Sequence, residues 1–136
     1  MTVVIDCNIF VMCLTSRSLY HAIYQSLIAG KFDLVISTGI LLEYEEIIQK
    51  KYNVATSHAL ITLLSELSNV HQIVTYYQWQ LIQADIDDNK YCDCAIAGQA
   101  DYIITEDKHF DVLQNIPFPS VKVVGIDRFL EILQSI

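Results

Sequence analysis

The sequence predicts an α/β fold in three layers, with a central parallel sheet covered by helices on both faces. Two observations carry this expectation. Short, almost wholly apolar runs (Thr2–Ile5, Leu34–Ile36, Tyr102–Thr105, Val121–Val124) alternate with helical stretches of amphipathic period. The runs also lack the in–out alternation of a half-solvated strand, as expected of parallel strands buried on both sides. No repeat, low-complexity tract or Pro/Gly linker divides the chain, so residues 1–136 are expected to form one domain.

The first strand, Thr2–Ile5, ends abruptly at Asp6. A helix is expected over Leu19–Ala29, with Leu19, Ile23, Leu27 and Ile28 on one face and Gly30 as its stop. After the Leu34–Ile36 strand, Ser37 and Thr38 suit a helix cap. The helix they open, Ile40–Lys51, places Ile40, Tyr44, Ile47 and Ile48 at i, i+4, i+7 and i+8. A further amphipathic helix is expected at Ser57–Leu67 and a short strand at Gln72–Val74. The polar run Asp85-Ile86-Asp87-Asp88-Asn89 reads as a loop entering a helix, Lys90–Ala97, closed near Gly98. Tyr102–Thr105 is the next strand. Ile116-Pro117-Phe118-Pro119 suits neither a central strand nor a helix interior. Val121–Val124 and Arg128–Leu133 supply the last strand and helix.

Hydrophobic residues make up 53% of the chain, which excludes a disordered class. No apolar run approaches the roughly 20 residues that span a bilayer. The opening MTVVIDCN has no basic region before its apolar stretch, so a signal peptide is not expected and a cytoplasmic location is. The four cysteines (Cys7, Cys13, Cys92, Cys94) form no C-x-x-C pair, and the four histidines lack zinc-site spacing. Packed, reduced thiols are expected.

The formal charge of −8, with eight dispersed Lys and Arg, argues against a protein that coats nucleic acid through phosphate contacts. Action on nucleic acid then requires a bound cation, or a dimer that groups the few basic side chains.

In parallel sheets ligands bind beyond the carboxyl ends of the strands, and acids collect at those ends here. Asp6 ends the first strand and Thr105-Glu106-Asp107 ends the strand that begins at Tyr102. An unpaired carboxylate at the edge of a buried sheet is costly, which marks Asp6 as functional. Glu43 and Glu45 both flank the apolar stripe of their helix, and the pattern does not separate them. Glu46 is set to pair with Lys50. Asp93 lies mid-helix, Asp87 and Asp88 read as loop and N-cap residues, and Asp111 as a solvated helix position. Thr105 is placed to orient a neighbouring carboxylate. Such acids, gathered together, repel one another unless a hard cation such as Mg²⁺ or Mn²⁺ is held among them. The aromatic group Tyr76, Tyr77 and Trp79 can stack on bases, but packing under the sheet edge is the expectation.

VVIDCNIFV resembles the opening V-x-D-T-N motif of PIN domains, ILLEYEEII the stretch with their second acid, and DDNKYCDCAIAGQADYIITEDKHF the segment with the third and fourth. VKVVGIDRFLEIL fits their last strand and helix, so the resemblance covers nearly the whole chain. It is strongest to prokaryotic toxin components of toxin–antitoxin pairs, the VapC group. The resemblance implies a five-stranded, flavodoxin-like parallel sheet and a Mg²⁺- or Mn²⁺-dependent endoribonuclease. It assigns catalysis to Asp6, Glu43, Asp93 and Asp107, metal binding to Asp6, Asp93 and Asp107, and supporting roles to Asn8 and Thr105. It further implies RNA as substrate, an antitoxin that covers the acidic pocket, and a homodimer. Cys7 departs from the family's Thr or Ser, and Glu106 adds an acid beside Asp107.

A haloacid-dehalogenase-type phosphatase also opens a sheet with acids, but requires a second Asp two residues after the first, where Asn8 stands. A phosphoacceptor receiver domain requires an Asp where Val74-Thr75-Tyr76 lies. A PIN-like binding module without turnover is the remaining alternative.

Overall fold

The computed structural model describes all residues from Met1 to Ile136. Five parallel strands, β1 (Thr2–Ile5), β2 (Asp33–Ile36), β3 (Val70–Gln72), β4 (Tyr102–Ile104) and β5 (Val123–Val124), form one sheet in the order β3-β2-β1-β4-β5. The expected five-stranded parallel sheet is thus present. Its likeness to flavodoxin extends to the layers but not to the strand order, which in flavodoxin runs 2-1-3-4-5.

Five α-helices lie between the strands, α1 (Cys7–Leu14), α2 (His21–Ile28), α3 (Thr38–Lys51), α4 (Val54–Glu66) and α5 (Asn89–Ala97), and α6 (Ile126–Gln134) follows the last strand. Right-handed return of each parallel connection puts α1 to α4 on one face. It puts α5, which leads back past β1 to β4, on the other. Val3, Val4, Leu34, Ile103 and Ile104 are wholly buried between the layers. The chain order reverses between β1 and β4, so the crevice beyond their carboxyl ends is the topological switch point.

Several expectations shift: the first expected helix starts at His21, leaving Leu19 70% and Ile28 43% exposed, and the last strand is only Val123–Val124. Helix α1 has no periodic signature in the sequence, because Cys7–Leu14 is apolar almost all round and buries Cys7, Ile9, Phe10, Val11 and Cys13, leaving no polar stripe to mark a period. Strand β3 lies two residues earlier than expected. It is an edge strand with an exposed face, placed by pairing of Leu34 with Val70 rather than by hydropathy. The segment Lys108–Asn115 forms 3₁₀ turns. Elsewhere the caps act as read: Ser37 Oγ accepts the Ile40 N–H at 3.4 Å, and Gly98 follows α5.

The aromatic group departs from its expectation. Tyr76 is 93% exposed and Tyr77 65%, with Trp79 partly covered. The segment after β3 does not pass under the sheet edge, because α5 holds it. Asn89 accepts the Ile82 N–H and donates to the Ile82 carbonyl, both at 2.8 Å, and Asp93 accepts the Trp79 N–H at 3.1 Å.

Candidate functional site

At the switch point one hydroxyl joins the ends of two strands. Thr105 Oγ1 donates to Asp6 Oδ2 at 2.7 Å and accepts the Asp107 N–H at 3.0 Å. Asp6 is the N-cap of α1, yet its carboxylate makes no cap hydrogen bond and is turned toward Thr105 instead. It is 7% exposed, and burial pushes its carboxyl above the usual range. The charges of Glu43 and Asp107 push the same way, while the Thr105 hydroxyl and the Cys7 backbone oppose them. Asp107 caps the 3₁₀ segment, accepting the His109 N–H at 2.9 Å through Oδ1.

Glu43 reaches this corner because its neighbour Tyr44 is wholly buried. The Tyr44 ring stacks on Phe10 with centroids 4.5 Å apart, and its hydroxyl donates to the Ile5 carbonyl, one residue before Asp6. That anchor turns Glu43 toward α5, where Tyr91 OH donates to Oε1 and Lys90 Nζ to Oε2 at 3.0 Å. Lys90 also contacts Asp87 at 2.8 Å. The Tyr91 hydroxyl in turn accepts the Cys7 N–H at 3.2 Å. Glu45 has no such partner on its carboxylate, so tertiary packing distinguishes two residues that the helical wheel could not.

Asp88, read from sequence as a cap, also faces this corner. It holds the N-cap position of α5 without a side-chain cap bond, and its Oδ2 lies 3.2 Å from His109 Nδ1. Its carboxyl is pushed up to about 6, first by burial and then by the charges of Asp107, Asp85 and Asp6, with the His109 contact opposing. Asp85, Asp88 and His109 bring their ligand atoms within 4.8 Å of one another. The signal that could have marked Asp88 was its place at the helix start, at the same sheet edge as Asp6 and Asp107.

Asp93 occupies a different setting. Burial raises its carboxyl, only the Trp79 N–H opposes, and no other acid contributes. Asn8 is exposed in the first turn of α1, and its amide makes no hydrogen bond to Asp6; the hydroxyl of Thr105 fills that role. Cys7 is buried with its thiol directed at the Glu43 carbonyl, 3.8 Å away. Glu106 points away from the acids: its Oε1 accepts the Ile126 N–H at 2.7 Å at the start of α6. Gly125 permits that approach, since a Cβ there would meet Glu106 Oε1 at 2.8 Å. Asp111 is exposed.

The donor set at the corner is carboxylate oxygen with one imidazole at its edge. Asp6 is buried and Glu43, Asp88 and Asp107 partly so; mutually repelling carboxyls with free lone pairs fit a hard divalent cation.

A profile of the PIN domain matches residues 2–109. No curated protein matches the chain. Among solved structures, VapBC2 of Rickettsia felis, bound to a DNA fragment from its promoter, superposes with a TM-score of 0.63 at 18% identity, covering 92% of this chain and 98% of that one. VapBC-1 of nontypeable Haemophilus influenzae gives 0.61 at 20% identity, over 93% and 99%. The PIN domain endonuclease Utp24 gives 0.52 at 13% identity, over 91% and 84%. At these identities the superpositions speak to the fold, while the profile spans most of the chain and includes Asp6, Glu43, Asp88, Asp93 and Asp107. With its strand order and its acids at the switch point, the chain belongs to the PIN-domain family.

Proposed function

We propose that this protein is a Mg²⁺- or Mn²⁺-dependent endoribonuclease that hydrolyses RNA phosphodiester bonds. The observation that carries the reading is the Asp6–Thr105–Asp107 bridge at the β1/β4 switch point, with Asp88 and Glu43 beside it. Asp6, Asp107 and Asp88 would hold the ion. Asp88, which feels the charges of Asp6 and Asp107 where Asp93 does not, is the better-supported third ligand, with Asp93 the alternative. A bound divalent ion supplies Lewis-acid neutralisation of phosphate charge and a more acidic water.

The chain's own groups do the rest. Thr105 fixes the Asp6 carboxylate and keeps one of its oxygens occupied. Tyr91 and Lys90 fix Glu43, leaving it to orient a water rather than to bind metal through a free oxygen. Burial of Asp6 strengthens its interaction with charge.

The VapBC complexes among the structural relatives support a biological setting as the toxin of a toxin–antitoxin pair, with an antitoxin partner; a homodimer and a cytoplasmic location belong to the same proposal. No helix is long and apolar enough to cross a membrane. The test is cleavage of RNA by the purified protein with Mn²⁺, with EDTA, and by Asp6→Asn. Metal-dependent cleavage lost in Asp6→Asn is expected; equal cleavage by wild type and Asp6→Asn sinks the reading. Co-purification with a short, basic-tailed protein encoded next to this chain tests the toxin–antitoxin setting.

A further inference from the structure

Beside the acids, between α5 and the segment after β3, lies an open groove of about 760 Å³ that the candidate metal centre does not use. Gln78, Gln80 and Gln83 line one wall, and Lys90 and Asp93 the other. We propose that this groove is a nucleobase subsite, which reads the base of a nucleotide next to the bond cut at the acids. The inference rests on the nuclease reading for its location and on the groove's own chemistry for its ligand class.

Three observations carry it. First, the wall is built rather than loose. The segment has no regular secondary structure, yet Asn89 clamps both backbone groups of Ile82, and Asp93 binds the Trp79 N–H. Recognition by side chains on an irregular segment requires this kind of fixing, because ordering a free loop on binding costs affinity.

Second, the three glutamine amides are exposed to the groove and make no side-chain hydrogen bond within the chain. Each offers a donor pair and an acceptor, which matches the edge of a base.

Third, the charges exclude a phosphate site. Lys90 is the one Lys or Arg on the lining, and its Nζ is already paired with Glu43 and Asp87. With Asp87 and Asp93 also on the lining, the groove has no free cation to offer an anion. A neutral, hydrogen-bonding ligand fits it. The Lys90–Glu43 pair runs from the groove to the acidic corner, so a strand crossing the acids brings an adjacent base to the glutamines.

The test uses uncharged ribonucleosides (adenosine, cytidine, guanosine and uridine), so that the charge of the protein does not mask binding. Isothermal titration with each nucleoside measures occupancy, and shifts of the Gln78, Gln80 and Gln83 side-chain amide signals locate it in the groove. One nucleoside is expected to bind about 10-fold tighter than the weakest, in the range of one or two neutral hydrogen bonds. Binding should change little between low and high salt, unlike phosphate-driven binding. The double variant Gln78→Ala/Gln83→Ala alters exposed side chains, so it should keep its fold and its Mn²⁺ affinity while the preference collapses. In cleavage of single-base oligoribonucleotides, the same base preference should appear in wild type and vanish in the variant.

A base preference that survives the double variant overturns the proposal, as does a groove that answers to no nucleoside but takes a basic peptide. Loss of the proposal with RNA cleavage intact leaves the nuclease reading standing. Glutamine-dependent nucleoside binding without any cleavage does the reverse.

Discussion

Asp88 and Asp93 belong to one helix and one short stretch of sequence, yet they stand in opposite situations. Asp88, at the first turn of α5, is pushed up by Asp107, Asp85 and Asp6 and contacts His109. Asp93, five positions on, is untouched by any of these charges and binds the backbone of the neighbouring segment. Helical phase accounts for the difference. Five residues rotate a side chain by about 140°, so the two carboxylates leave the helix in different directions. One end of the helix thus adds charge to the corner with Asp6 and Asp107, and the middle ties down the segment after β3. A carboxylate can be buried for either reason, and the partner it finds tells which.

The sharpest test of this division lies at its centre. Asp6→Asn keeps the shape of the side chain and its contact with Thr105, so the fold should survive. If metal-dependent catalysis depends on this carboxylate, turnover should fall by about 1,000-fold or more, the range for loss of a group that stabilises the transition state. Single-turnover cleavage of RNA with Mn²⁺ measures it.

Next in size is the contrast itself. Asp88→Asn should weaken Mn²⁺ binding by about 10- to 100-fold, comparable to loss of a group in the immediate surroundings of a metal. Asp93→Asn should leave that affinity within about twofold. Isothermal titration of both variants decides the matter, and a weakened Asp93→Asn beside an intact Asp88→Asn would reverse the assignment.

The tie between α5 and the segment after β3 can be tested apart from the metal. Asn89 is 9% exposed, and both of its side-chain bonds go to Ile82. Asn89→Ala leaves an N–H and a carbonyl of a buried residue without partners, at a cost of about 2 kcal/mol. The loss should be local, with rapid hydrogen exchange and proteolysis over residues 75–83 while the strands keep their protection.

Much of this organisation is legible in the sequence, and the gaps have physical causes. The buried strands β1, β2 and β4 announce themselves as apolar runs, and Asp6 and Asp107 follow from where those runs stop. Glu43 and Glu45 are indistinguishable on a wheel because both border the same stripe; only the Tyr44 anchor on Ile5 decides which faces α5. Asp88 is hidden by the reputation of aspartate at helix starts: the position is an N-cap, but the capping bond is not made. The exposed aromatics run against their expectation because Tyr and Trp near a strand usually pack, and nothing local reveals that Asn89 and Asp93 hold their segment away. Long-range partners, invisible to periodicity, decide all three.

The smallest expected effect follows from the charge on Asp88 without metal. Its carboxyl titrates at about 6, above the roughly 3.9 of an unfolded aspartate. The folded state therefore binds this proton more tightly than the unfolded state. The resulting stabilisation is complete below the unfolded value and is lost as pH rises through about 6, so ionised Asp88 opposes folding at neutral pH. Solvent screens much of the interaction at this partly exposed group, leaving about 1 kcal/mol. In EDTA, Asp88→Asn should accordingly be more stable than wild type by about that amount near neutral pH, with the gain fading toward about pH 4. Urea unfolding across this range measures it. With saturating Mn²⁺ the order of the two proteins should invert, because the ion stabilises the folded wild type in proportion to its affinity. A variant less stable than wild type in EDTA at neutral pH would mean that Asp88, like Asp93, is held for structure, and the contrast between them would fail.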